Sequence, residues 1–295
     1  WRARGSHGRA AGLGHRRSPP CENGWKSKHT KSTHSALSAL LLPHPVSIQF
    51  ETYFGDGMTR ITFLIAWALA FSTSAHAQTS GLKRLNTGDE SRGWEAVGRL
   101  DVAGKGFCTG ALIAPDLVLT AAHCLFDRDT GLRVDHDIME FLAGWRDGRA
   151  SAYRNVRRAV VHPEYSYDGT ATTDRVRNDL ALIELDRPIR NTQVIPFETA
   201  ERPAKGDKIG VVPYALDRLE APSLQEICHV MARQKGVLVM SCDVNFGSLG
   251  APIFSMDGDT AKIVSVVSAK AEVKGTPVSL GTALESPLAR LRAEL

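Results

Sequence analysis

The chain predicts an all-β fold, and three observations carry that expectation. Short apolar or alternating runs follow one another between turn-forming residues from Val97 onward. Almost no segment keeps the 3.6-residue apolar repeat of an amphipathic helix. Four cysteines, Cys108, Cys124, Cys228 and Cys242, lie downstream of an export-type leader, the usage of a disulfide-bonded extracellular domain.

Residues 1–57 hold no methionine and run basic, with Arg16, Arg17, Lys26 and Lys28 among the charges. They read most simply as an over-extension upstream of the true start and not as part of the mature protein. The alternative is a basic tail for nucleic acid or anionic lipid, and it would leave a signal sequence working from behind 57 residues. Met58 is the first methionine, and Met58-Thr59-Arg60, an apolar run over 61–71 and Ala75-His76-Ala77 follow. A short charged start, an apolar stretch and a small-x-small site make 58–77 a secretory signal peptide. The apolar run is about half the roughly twenty residues that cross a bilayer. Retention as a signal anchor is the alternative. Residues 1–77 carry a net charge of +6 and residues 78–295 a net of −2. The mature piece therefore gives no reason to expect a nucleic-acid partner. A secreted or periplasmic monomer with no membrane span is the expectation.

From Gln78 the elements come in order. Residues 78–95 are polar and glycine-rich, a surface lead-in. Strands are predicted at 97–101, 107–113, 117–120, 138–143, 152–162, 180–185, 208–213, 226–231, 236–240, 253–255, 262–269 and 278–284, the pattern of a sandwich or barrel. A proline-, charge- and glycine-bearing stretch over 196–206 marks a seam between two halves. Only 287–294 looks helical, a closing helix within 287–295.

Three segments bear chemistry. Leu119-Thr120-Ala121-Ala122-His123-Cys124 ends an apolar strand on two small residues and an imidazole, a fixed position for a group that takes and returns a proton. Asn178-Asp179-Leu180-Ala181-Leu182 sets a carboxylate at the mouth of an apolar strand, where burial is costly unless it is paired. Asp168 and Asp174 nearby read as loop charges. Gly247-Ser248-Leu249-Gly250-Ala251-Pro252 is a tight turn running into an apolar strand. The cysteines allow three pairings, and residue types alone do not choose among them. Zinc is disfavoured by the lack of any Cys-x-x-Cys spacing, and no metal or cofactor is expected.

His, then Asp, then a glycine-rich turn is similar to the order in the chymotrypsin/trypsin-like serine proteases, with the turn nearest to the bacterial secreted branch. The resemblance covers most of residues 78–295. It implies two six-stranded antiparallel β-barrels, at about 96–196 and about 206–286, with a short C-terminal helix. It implies the disulfides Cys108–Cys124 and Cys228–Cys242. It implies peptide-bond hydrolysis through an acyl-enzyme, with His123 as base, Asp179 as its orienter and the N–H groups of Gly247 and Leu249 as the oxyanion hole. The nucleophile position, however, is Leu249, whose isobutyl group can neither attack a carbonyl nor be activated. Ser248 as a substitute would put Phe246 where a glycine belongs, and its hydroxyl should face away from His123. Asp243 falls where trypsin-like members hold the acid that binds Arg or Lys, or else is simply exposed beside Cys242. Ser268 sits on the strand expected to line the substrate, as a bridge to Asp179 or as a solvated serine. Two readings follow for a peptide or protein partner: a peptidase lost or impaired by a single change (Ser and Leu codons can differ by one base), or a non-catalytic pseudoprotease that binds without turnover.

Overall fold

Gly98 and Gly110 face each other across the first hairpin, and a Cβ on Gly98 would overlap the Phe141 ring. Two glycines thus open the space that a fully buried aromatic fills, and a strand rich in small and apolar residues closes around it. The computed structural model describes residues 81–103, 105–167, 172–200, 203–215, 219–244, 248–256 and 260–295, all within the compact unit Ser74–Leu295. The readings of 1–57 and 58–77, and the positions of Asp168 and Gly247, lie outside the described residues.

The first barrel is closed from β2 (Val97–Val102), β3 (Gly106–Ala114), β4 (Leu117–Thr120), β5 (Met139–Ala143), β6 (Ala152–Val161) and β7 (Ala181–Leu185), in the order β2-β3-β4-β7-β6-β5. The second comprises β8 (Lys208–Val211), β9 (Ser223–Gln234), β10 (Val237–Met240), β11 (Pro252–Ser255), β12 (Lys262–Val273) and β13 (Thr276–Ala283). Its order is β9-β10-β13-β12-β11-β8, and the β8–β9 pairing closes it. Both are antiparallel and six-stranded, as expected. Closure removes the exposed sheet edges that an open sheet of this size would have to protect.

Three details differ from the sequence reading. A short strand β1 (Lys83–Arg84) lies inside the supposed lead-in and pairs with β9 at Ser223 and Leu224. A one-turn helix α1 (Thr173–Arg177) precedes Asp179, capped by Thr172 Oγ1 accepting from the Arg175 N–H at 3.2 Å. It is too short for an apolar repeat to announce it. Strands β9 and β12 run several residues past their apolar cores, because each continues into a hairpin, β9–β10 through Lys235-Gly236 and β12–β13 through Lys274-Gly275, all four turn residues at positive φ. Such turns match the twist of the flanking strands and need no hydrophobic run beside them.

The closing helix, α2 (Glu285–Ala293), buries Leu288 and Leu291 in the cluster of the first barrel. Arg290 ties it to Glu164. Between the barrels, the Tyr214 N–H donates to Thr109 Oγ1 at 3.0 Å, and Thr282 Oγ1–H reaches the Val176 carbonyl at 2.6 Å. Phe254 meets Trp94 and Phe197 edge-on, at 4.9 and 4.7 Å between ring centres. Both disulfides, Cys108–Cys124 and Cys228–Cys242, are formed. Among the described residues, no helix is long and apolar enough to cross a membrane.

Candidate active site

Strand pairing explains how residues 56 apart meet. Thr120 on β4 lies opposite Ala181 on β7 in an antiparallel ladder. Going three residues forward from one and two back from the other therefore reaches the same end of the barrel, at His123 and Asp179. His123 stands on a 3-10 turn, Ala122–Leu125, whose preceding Ala121 is wholly buried. Only a small side chain leaves room there for the imidazole to lie over the strand ends.

Asp179 is 1% exposed, and its carboxylate is held by three donors. Oδ1 accepts the His123 main-chain N–H at 2.9 Å, and Oδ2 accepts from His123 Nδ1 at 2.7 Å. The Ser268 hydroxyl donates to Oδ2 at 2.5 Å. A buried carboxylate is tolerated only with such partners. Because the ionised carboxylate only accepts, Nδ1 carries the proton, and Nε2 of the neutral ring is left as the acceptor. Nε2 lies 3.8 Å from Cys124 Sγ, a disulfide sulfur that offers no proton.

Ser268 reaches Asp179 through an irregularity in β12. The β12–β13 register shifts between Val267 and Ala269, and a bulge of this kind re-aims the side chain at its apex.

The turn that carries Leu249 is fastened to both barrels. The Leu249 carbonyl accepts the Thr109 N–H at 3.1 Å, and the Gly250 N–H donates to the Val267 carbonyl at 2.9 Å. Gly250 has φ +79°, and a Cβ there would overlap the Thr109 carbonyl and Thr120 Oγ1. Glycine is thus required by conformation and by space together. The Leu249 side chain is half-buried and packs against the apolar cluster of the second barrel. Ser248 is fully enclosed.

A groove of 660 Å³ opens beside His123, lined by Lys105, Phe107, the Cys108–Cys124 disulfide, Phe126 and Asp127. The Lys105 ammonium lies 2.6 Å from Asp127 and holds that carboxyl well below the usual carboxylate range. On the far side of Phe126, the Tyr167 ring stacks on it at 5.2 Å, and the Arg175 guanidinium lies 4.9 Å from the Tyr167 ring centre. Sequence reasoning missed this cation–aromatic layer, since its members come from three separate segments.

Asp243 is engaged by Gln225 and Lys270. Its main-chain N–H donates to Gln225 Oε1 at 2.9 Å, and Lys270 Nζ approaches its Oδ1 at 3.9 Å. Neither partner was picked out from sequence.

A family model described as trypsin matches residues 86–283. Among curated proteins, similarity extends to a modular serine protease of Drosophila melanogaster, 36% identical over 90 residues, which are 30% of this chain and 14% of that protein. Mast cell protease 3 of Ovis aries is 30% identical over 123 residues, 41% of this chain and 44% of that protein. The chain thus spans less than half the length of either relative. Among solved structures, a Glu endopeptidase in complex with MPD superposes with a TM-score of 0.61 at 20% identity, covering 74% of this chain and 97% of the other. A thermostable serine protease, AL20, gives 0.54 at 20% identity, covering 68% and 96%.

Proposed function

The chain belongs to the trypsin family of serine proteases, and from that premise we propose that it is an exported member whose hydrolytic chemistry stops at the nucleophile. In the family reaction, peptide-bond hydrolysis through an acyl-enzyme, an alcohol must pass its proton to the imidazole as it attacks. His123 and Asp179 are suited to that work, since a buried carboxylate fixes the tautomer and would stabilise the imidazolium. The Leu249 side chain offers no oxygen. The observation that carries this reading is the three-donor clamp on Asp179, which holds an imidazole ready for a nucleophile that the turn, with leucine at position 249, does not supply. Ser248 is a poor substitute, because its enclosed position keeps a substrate carbonyl away from its hydroxyl. The N–H groups of Gly247 and Leu249 belong to the same reading as oxyanion donors, since they do not depend on the side chain at 249.

A second reading is supported by the groove beside His123. A chain that keeps this concavity without an attacking group suits a pseudoprotease that binds a peptide or protein segment. The Leu249→Ser variant separates the two. If Leu249 is a recent single change on an otherwise working site, L249S hydrolyses peptide ester and amide substrates while the wild type does not. If binding is the long-standing role, L249S remains inert while both proteins retain peptide binding. Turnover by the wild type at the rate of L249S overturns both readings.

A further inference from the structure

We propose that the pocket between residues 88–95 and the β5–β6 loop is a second binding site, apart from the His123 groove, and that it takes the carboxylate of a largely apolar ligand. The proposal does not depend on what stands at position 249.

The pocket holds 620 Å³, inside the range of about 300–1,000 Å³ in which small-ligand sites fall. It shares no lining residue with the groove beside His123. Its walls come from the turn before β2, the β5–β6 loop, the connection at 192–195 and Pro222 ahead of β9. It therefore opens at the seam of the two barrels, a preferred place for ligands.

One cation sets its chemistry. Arg146 Nη1 donates to Ser91 Oγ at 3.2 Å, and that hydroxyl donates in turn to the Thr87 carbonyl at 3.1 Å. Among the described residues no carboxylate pairs with Arg146, so its one side-chain partner is a neutral oxygen. The acids on the same walls are engaged elsewhere. Asp89 is paired with Arg92 at 2.6 Å, and Glu95 Oε2 accepts the Gly93 N–H of its own turn at 2.7 Å. A guanidinium carries five N–H donors in one plane, and Arg146 keeps most of them to spare. Gly88 leaves the fork uncovered, since a Cβ there would stand 3.4 and 3.5 Å from Nη1 and Nη2. Such a fork matches a carboxylate in both charge and geometry.

The remaining wall is largely apolar. Trp94, Trp145 and Ile195 line it, and Ile195 is 70% exposed. Trp145 Nε1–H is enclosed and has no acceptor, which is uncommon for a buried donor. An unbalanced cation among indoles calls for an anionic head on an apolar body. Two sources carry that chemistry: a small organic acid, and the free C-terminus of a peptide ending in an apolar residue.

Two acids and their amides, titrated by ligand-observed NMR, test the site. They are phenylbutyrate with phenylbutyramide, and N-acetylated alanyl-alanyl-phenylalanine with its C-terminal amide. The wild type is expected to bind at least one acid about tenfold more tightly than the matching amide. Arg146→Gln should lose that preference while keeping the affinity for the amides. Ile195→Asp should lose it too, because a new carboxylate on the same wall repels the head group. That change falls at an exposed position, so it keeps the test open even if Arg146→Gln fails to fold. A preference shown by the peptide alone makes the ligand a C-terminus, and one shown by phenylbutyrate alone makes it a small acid; either upholds the site. Equal binding of acid and amide by the wild type overturns the proposal. So does a failure of both acids to bind at millimolar concentration, or an acid preference that survives in folded Ile195→Asp.

Discussion

Removing the Ser268 hydroxyl takes away one of three donors to a carboxylate that is 1% exposed. Hydrogen bonds to charged groups contribute about 1.5–3 kcal/mol. Ser268→Ala should therefore lower the unfolding free energy by about that amount in urea titration, and a loss within 0.3 kcal/mol of zero would deny the bond any role. His162 gives a pH-dependent counterpart. It is 4% exposed, and its Nδ1 accepts the Glu164 N–H at 3.3 Å. Burial, with smaller contributions from Arg290 and Arg177 against an opposing one from Glu164, pushes the imidazole below its ordinary 6.5. The unfolded chain then binds more protons than the folded one just below pH 6.5, so stability falls as the pH drops through that window. Melting temperatures from pH 7.5 to 5.5 should show the fall, and His162→Gln should flatten it. At this scale His123 and Asp179 were legible because each sits in a short string that states its own surroundings. The Lys270–Asp243 pair was not, since it joins residues whose approach is set by strand register.

The turn from Ser248 to Pro252 is an element defined by one residue's freedom. Gly250→Ala would meet positive-φ strain and overlap with Thr109 and Thr120 at once. It should cost about 3–5 kcal/mol, read as a lowered denaturation midpoint with an unchanged slope. A cost under about 1 kcal/mol would mean that the turn readily rearranges. The Cys108–Cys124 bond closes a 16-residue separation behind the imidazole, and Cys108→Ala/Cys124→Ala should lose about 3 kcal/mol. The strands were legible where apolar residues run together between turns, as in β4 and β11. They were not legible where pairing outruns burial. The outer end of β12 carries Lys270 and Glu272 and looks like loop, yet it is held by its ladder with β13. Likewise α1 has a single buried residue, Val176, too few to leave a period in the sequence.

Across the whole molecule, the two barrels meet through main-chain and hydroxyl bonds near Asp179 and through apolar packing away from it, and α2 crosses back to seal the first barrel. Leu291→Ala, at a fully buried position on that helix, should cost about 2–5 kcal/mol in one cooperative transition. Two separated transitions would show that the barrels unfold independently. The two-barrel architecture was foreshadowed by the strand count and by the likeness of three short segments. The way α2 docks was not, since its few buried residues find partners far away in the chain. What such a scaffold does for this chain turns on one side chain. The most direct measurement is the intact mass of the purified wild-type protein after incubation with a serine-directed phosphonate, beside L249S treated the same way. No added mass on the wild type, under conditions that label L249S, is the predicted result. A stoichiometric adduct on the wild type, mapped to Ser248, would contradict it.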